Sequence, residues 1–167
     1  MPDSQAPVSG WQSRKRIALI CDSLEDNFQS ALVDAGLAAG AAHDVDLLVV
    51  PGGKLGETSG KSFIHELVPS WADGIIVAAH TIGHVASERE MVTFLDRLRP
   101  IPTVTLGEVP GADCCLAIDN DAAAYCLTQH LVLQHHHKRF VYLSGPAGNP
   151  ETRAREKGFG AGSSDRT

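Results

Sequence analysis

Residues 15–21 read Lys-Arg-Ile-Ala-Leu-Ile-Cys, a basic pair followed by an unbroken apolar run. A strand with one face in water alternates polar and apolar positions. An unbroken run suits a strand buried on both faces, as in a parallel sheet lying under helices. The next stretch, 22–28, is polar and acid-rich and leads into an Ala-rich segment. In open α/β sheets, ligands sit beyond the carboxyl ends of the strands. Residues 22–28 are therefore the first place to look for function, against the simpler reading of a polar turn.

The same alternation continues down the chain. A helix is expected over 28–42, with Phe28, Leu32, Ala35 and Ala39 at helical spacing. Gly36 and Gly40 would each cost it about 1 kcal/mol relative to Ala, unless they serve close packing on the sheet. A second strand over 45–50 breaks at Pro51-Gly52-Gly53, and a Gly-rich loop runs to Gly60. A short helix over 62–68 ends at Pro69. A third strand covers 74–79, and 80–86 reads as a loop. Ser87-Glu88-Arg89-Glu90 spells a capping box. It starts a helix whose Met91, Phe94, Leu95 and Leu98 face the core and which Pro100 stops. Strands are expected over 103–106, 114–118 and 139–143. Asp119-Asn120 cap a helix over 121–133, and a last helix starts at 151 and reaches 159. Such alternation implies a parallel sheet with right-handed crossovers.

The ends differ from this pattern. Residues 1–13 lack an apolar h-region and read as a disordered arm, not a secretory signal. Residues 160–167 are small and polar, and read as a disordered tail. No stretch approaches the roughly 20 apolar residues of a membrane span. A net charge of −6 argues against a surface made for nucleic acid. The cysteines, Cys21, Cys114, Cys115 and Cys126, form no C-x-x-C pair. Without a secretory signal they read as reduced thiols of a cytoplasmic protein.

Several short segments, in order, resemble the ligand-binding domain of lactose/galactose-repressor-type proteins, which have the type I periplasmic-binding-protein fold. They are Arg16-Ile-Ala-Leu-Ile with Asp26-Asn27-Phe28, Ala72-Asp73-Gly74-Ile75-Ile76-Val77, and Ile101-Pro102-Thr103-Val104. Further on come Ile118-Asp119-Asn120 with His130-Leu131, then His137-Lys138-Arg139-Phe140-Val141 with Gly145-Pro146, and Arg153, Arg155, Gly158 and Phe159. Leu24-Glu25-Asp26, Phe28-Gln29-Ser30, Gly52-Gly53 and Thr81-Ile82-Gly83-His84 are similar to sensor domains fused to diguanylate cyclases or histidine kinases. Repressors usually carry Asn-Pro-Phe-Phe at the first of these places, and 1–13 leaves no room for a helix-turn-helix.

The resemblance implies an α/β fold, a Rossmann-like parallel sheet with helices on both faces. It implies an N-terminal lobe over 14–134, then a hinge crossing and the start of a second lobe over 135–159. The family's domain has two lobes, so this chain reads as a truncated one, and its ligand cleft as incomplete. Strand 139–143 would then expose apolar edges, and a homodimer, with or without strand exchange, would cover them. In a whole protein, ligand would close two lobes about a hinge near 130–137 and shift a dimer interface.

The resemblance also places ligand contacts at strand ends: Asp22, Phe28 and Gln29, then His80 and Thr81, then Gly107, then Asp119 and Asn120, with Arg155 from the second lobe. Carboxylates and amides bond sugar hydroxyls, an aromatic covers an apolar ring face, and Arg supplies a fork of donors. Asp119 and Asn120 are equally good helix caps, and Arg155 is readable as a surface charge. The expected partner is a sugar-like small molecule, with no membrane or nucleic-acid contact from this chain.

Other chemistries fit less well. His135-His136-His137 are consecutive and so do not share a helix face. His80 and His84 lie in a loop with no Glu base nearby. No metal or other cofactor is expected. Gly56-Glu57-Thr58-Ser59-Gly60-Lys61-Ser62 nearly spells a P-loop, but three residues separate its glycines where the phosphate nest needs four. No nucleophile–base pair is evident, so an enzyme is not expected. The readings that stand are a ligand-sensing regulatory domain, a dimerisation module without ligand, and a P-loop-like nucleotide enzyme.

Overall fold

A computed structural model describes residues 14–25, 27–55, 68–83, 86–146 and 148–164. The arm over 1–13, the P-loop-like segment 56–62, the body of the helix expected over 62–68, and His84 lie outside the described residues. The chain divides after Leu116 into two compact units.

The first unit is built on a parallel sheet in the order β2-β1-β3-β4-β5. Its strands are β1 (Lys15–Cys21), β2 (Val45–Pro51), β3 (Gly74–Val77), β4 (Thr103–Leu106) and β5 (Cys114–Leu116). Each lies where the apolar runs predict it, to within two residues at either end. Every neighbouring pair is parallel, with Ile17 beside both Leu47 and Gly74. β1 sits between β2 and β3, and Ala18, Leu19, Ile20 and Cys21 are all buried. This two-sided burial is what an unbroken apolar run requires.

Helix α1 (Asn27–Ala42) packs differently from expectation. Phe28, Ala35 and Ala39 are exposed, and the buried face carries Gln29 and Gly40, with Leu32, Val33 and Gly36 half-buried. The reason is proximity to β2. A Cβ at Gly40 would stand 2.9 Å from the Val45 carbonyl oxygen, and one at Gly36 2.8 Å from a Leu47 methyl. Close approach selects glycine for the contact face and turns the larger side chains outward.

A single helical turn, α2 (Ala79–Ile82), takes the last residue of the expected third strand and the start of the expected loop 80–86, and buries Ala79 and Ile82. Helix α3 (Glu88–Leu98) follows the sequence expectation closely. Met91, Phe94, Leu95 and Leu98 are buried, and they join Ile20, Ile75 and Val77 in the core. The Glu90 amide donates to Ser87 Oγ at 3.3 Å, and the Ser87 amide donates to Glu90 Oε2 at 2.7 Å. The Ser87 hydroxyl, then its amide, hold the Glu90 carboxyl below its ordinary value of 4.5.

The second unit pairs α4 (Asn120–Leu133) with α5 (Pro150–Ser164). A side chain at Gly158 would run into the Asp121 carbonyl, and one at Gly162 would stand 2.8 Å from Thr128 Cβ. Small residues thus let the two helices touch backbone to backbone. This contact carries α5 through Ser164, past the expected end at 159. It also joins α4 to the segment after it, so the division at Leu116 precedes the boundary expected near 134.

The sixth strand expected over 139–143 is not formed. The segment keeps the alternation of a strand: Phe140 and Tyr142 pack on Phe159, with ring centroids 6.1 and 4.7 Å away, while Val141 and Leu143 are 89% and 90% exposed. A strand exists only through its ladder, and among the described residues these have no neighbour to pair with.

Candidate functional site

The first-unit site residues lie where β1, β3 and β4 end. Asp22 follows β1 directly. The amides of Gly52 and Gly53, at the end of β2, donate to the carbonyls of Cys21 (2.8 Å) and Asp22 (2.9 Å), so the β1 and β2 exits are fastened together. The Pro-Gly-Gly break after β2 thereby gains a local purpose.

His80 lies in α2, just beyond β3. Its Nδ1 stands 2.9 Å from the Leu106 carbonyl oxygen at the end of β4. A carbonyl only accepts, so Nδ1 carries the proton. In the neutral ring Nε2 is then a lone-pair acceptor. That atom is buried and has no hydrogen-bond partner among the described residues. Asp22 Oδ1 is buried and unpartnered in the same way. Such atoms are costly in a folded protein and call for an explanation.

Phe28 meets His80 edge-on, with centroids 5.1 Å apart and planes at 81°. It is still 56% exposed, so an apolar surface is left beside the imidazole. Gln29, by contrast, is only 1% exposed. Its Oε1 accepts from the Ser23 amide at 3.3 Å, and its Nε2 donates to Ser23 Oγ at 3.4 Å. It therefore holds the Asp22–Ser23 turn from behind. The Thr81 hydroxyl donates to the Ala78 carbonyl at 3.1 Å, bracing α2. Gly107, at φ 102°, donates its amide to the Leu116 carbonyl at 2.9 Å, joining the β4 and β5 ends. The positive φ explains glycine there.

In the second unit Asp119 caps α4, its Oδ1 accepting from the Ala122 amide at 2.9 Å. The sequence reading gave the cap to Asn120 as well, but Asn120 is the first residue of the helix. Its Oδ1 accepts from Arg155 Nη1 at 2.7 Å, and its Nδ2 donates to the Ile118 carbonyl at 3.2 Å. Arg155 also pairs with Glu151 at 3.5 Å. Asn120 and Arg155, 35 positions apart in sequence, are thus brought together.

Sequence reasoning missed Ser23, which Gln29 grips, and the Leu106 carbonyl, which decides the protonated nitrogen of His80. Ser23 carried a weak signal as a hydroxyl in an acid-rich loop. A backbone carbonyl carries none. What the first-unit group can do is specific: two buried acceptors, a carboxylate and an imidazole nitrogen, beside a half-exposed aromatic ring, suit a ligand rich in hydroxyl donors with an apolar face.

Comparison with known proteins gives the family and the fold. The profile of the family described as periplasmic binding proteins and sugar binding domain of LacI family matches residues 14–165. Among solved structures, a LacI family transcriptional regulator from Mycobacterium smegmatis aligns at 20% identity and a TM-score of 0.72, over 89% of this chain and 51% of that one. GanP, a glucose-galactose binding protein from Geobacillus stearothermophilus, aligns at 17% identity and a TM-score of 0.71, over 93% and 55%. An ABC transporter periplasmic solute binding protein from Actinobacillus succinogenes 130z, with bound D-allose, aligns at 19% identity and a TM-score of 0.70, over 90% and 56%. At these identities the likeness shows a shared fold. The chain spans about half the length of each of these proteins. No match is found among curated proteins. No helix among the described residues is long and apolar enough to cross a membrane.

Proposed function

Since the chain belongs to the family of periplasmic binding proteins and LacI-type sugar-binding domains, we propose that it is the ligand-sensing part of a cytoplasmic regulator and binds a sugar-like molecule at Asp22, Phe28 and His80. The observation that carries this reading is a pair of buried atoms, Asp22 Oδ1 and His80 Nε2, that have no hydrogen-bond partner among the described residues. Sugar hydroxyls donate to both, and the exposed part of the Phe28 ring covers the apolar face of the sugar. Gln29, Thr81 and Gly107 act behind this surface and hold its backbone. The group acts by binding, and its output is regulatory. The second-unit residues Asp119, Asn120 and Arg155 enter as a braced cluster that orders the start of α4. The chain works as a homodimer and makes no nucleic-acid contact itself.

The test is a thermal-shift and calorimetric titration of the full chain with D-glucose, D-galactose and D-allose, beside charged non-sugar metabolites. At least one sugar is expected to bind. Asp22→Leu and His80→Phe, which each remove the acceptor, should each weaken it roughly tenfold to a hundredfold, the loss of one hydrogen bond to a buried charged or polar group. Failure of every sugar, or unchanged affinity in both variants, would overturn the reading.

A further inference from the structure

The second unit holds a histidine cluster that the sugar site does not use. His130 lies in the last turn of α4, and His135 lies just beyond it. Their Nε2 atoms face each other at 3.1 Å, with ring centroids 4.9 Å apart and planes at 70°. The chain between them is folded to achieve this. The Gln134 amide donates to the His130 carbonyl at 2.9 Å, and the His137 amide donates to the Leu131 carbonyl at 3.1 Å. His136 takes the left-handed conformation, φ 53°, that reverses the chain. The His137 ring stacks on His135 at 5.9 Å and 15°. The three consecutive histidines do not themselves converge. The pairing is made with His130, which the sequence sets apart from them.

We infer that His130 and His135 form a two-histidine chelate for a divalent first-row transition-metal ion such as Zn²⁺ or Ni²⁺. The spacing is the argument. With metal–nitrogen bonds of about 2.0–2.1 Å, two imidazole nitrogens stand about 2.9 Å apart at a right angle and about 3.3 Å apart in a tetrahedral site. The observed 3.1 Å falls between these values, so an ion enters with little change in the separation of the two nitrogens. Imidazole suits these metals. Without metal, one Nε2–H donates to the other Nε2. On binding, that proton moves through solvent to Nδ1 of the same ring, and both Nε2 lone pairs turn to the ion. No net proton leaves two neutral rings. Among the described residues no group of three or more His, Cys, Asp or Glu side chains converges on a metal position. Water therefore completes the coordination, and the site is an exchangeable one. Its effect is to tie the end of α4 to the segment that follows it.

The test is calorimetric titration of the tag-free full chain with Zn²⁺ and with Ni²⁺, repeated on His130→Ala, His135→Ala and His136→Ala. One ion per chain is expected. Affinity should fall at least about tenfold in the first two variants, since even outer-shell losses cost that much, and should persist in His136→Ala. Circular dichroism establishes that each variant keeps its helix content. Absence of binding, or unchanged affinity in His130→Ala or His135→Ala, would overturn the inference; loss confined to His136→Ala would mark an adventitious polyhistidine tract.

Discussion

At the scale of single residues, position in the fold decides role more than residue type does. Phe28 and Gln29 are neighbours, yet one offers its ring outward and the other is 1% exposed and grips Ser23. Successive helix positions turn by about 100°, so adjacent side chains on α1 meet different surroundings. Asp119 and Asn120 divide in the same way, one capping α4 and the other receiving Arg155. His136 at φ 53°, like Asp44 at φ 59°, is a non-glycine held in the left-handed region. The left-handed region crowds Cβ against the next carbonyl, at a cost of about 1 kcal/mol or more. His136→Gly is therefore expected to stabilise the second unit by about 1 kcal/mol, read as a higher urea midpoint at unchanged slope. A lower midpoint would show that the imidazole contributes more than the strain costs.

At the scale of elements, caps and contact faces carry the information. The capping box before α3 was legible because it is local, four consecutive residues closing on themselves. The hydrogen bond that the Glu90 amide donates to Ser87 Oγ is worth about 1 kcal/mol, so Ser87→Ala should destabilise by that amount at neutral pH. The Glu90 carboxyl is held below its ordinary value of 4.5 by Ser87. A depressed acid contributes stability above its unfolded value and loses it as pH falls through the folded one. Wild-type stability should therefore decline more than that of Ser87→Ala from about pH 5 downward. The gap between the two proteins should narrow in that window, and a constant gap in pH-dependent urea melts would refute the coupling. The contact face of α1 was misread for the opposite reason. Its apolar spacing pointed to Phe28, Leu32, Ala35 and Ala39, of which Leu32 alone is half-buried, while the close approach of β2 bears out the alternative reading of Gly36 and Gly40 as packing positions.

At the scale of the whole molecule, exposed apolar surface is the feature that asks for a partner. β5 ends the sheet order, and all three of its residues are exposed, with Leu116 at 68%. Val141 and Leu143 are almost wholly exposed on a segment with strand-like alternation and no ladder. An open strand edge and such an apolar surface favour association. Sedimentation equilibrium at high micromolar concentration should give the dimer mass, and Val141→Lys with Leu143→Lys should lower it toward the monomer. A monomer at that concentration would remove the dimer from the proposal. By itself the sequence determined the strand–helix alternation, the parallel sheet, the capping box and the strand ends where Asp22 and His80 lie. These rest on periodicity and nearest neighbours, which a chain carries along its length. Only the tertiary structure decided that Nδ1 of His80 is its protonated nitrogen, that Arg155 meets Asn120, that His130 faces His135, and that 139–143 lacks a ladder. Each depends on which distant groups arrive within hydrogen-bond distance, and that is settled by packing in three dimensions.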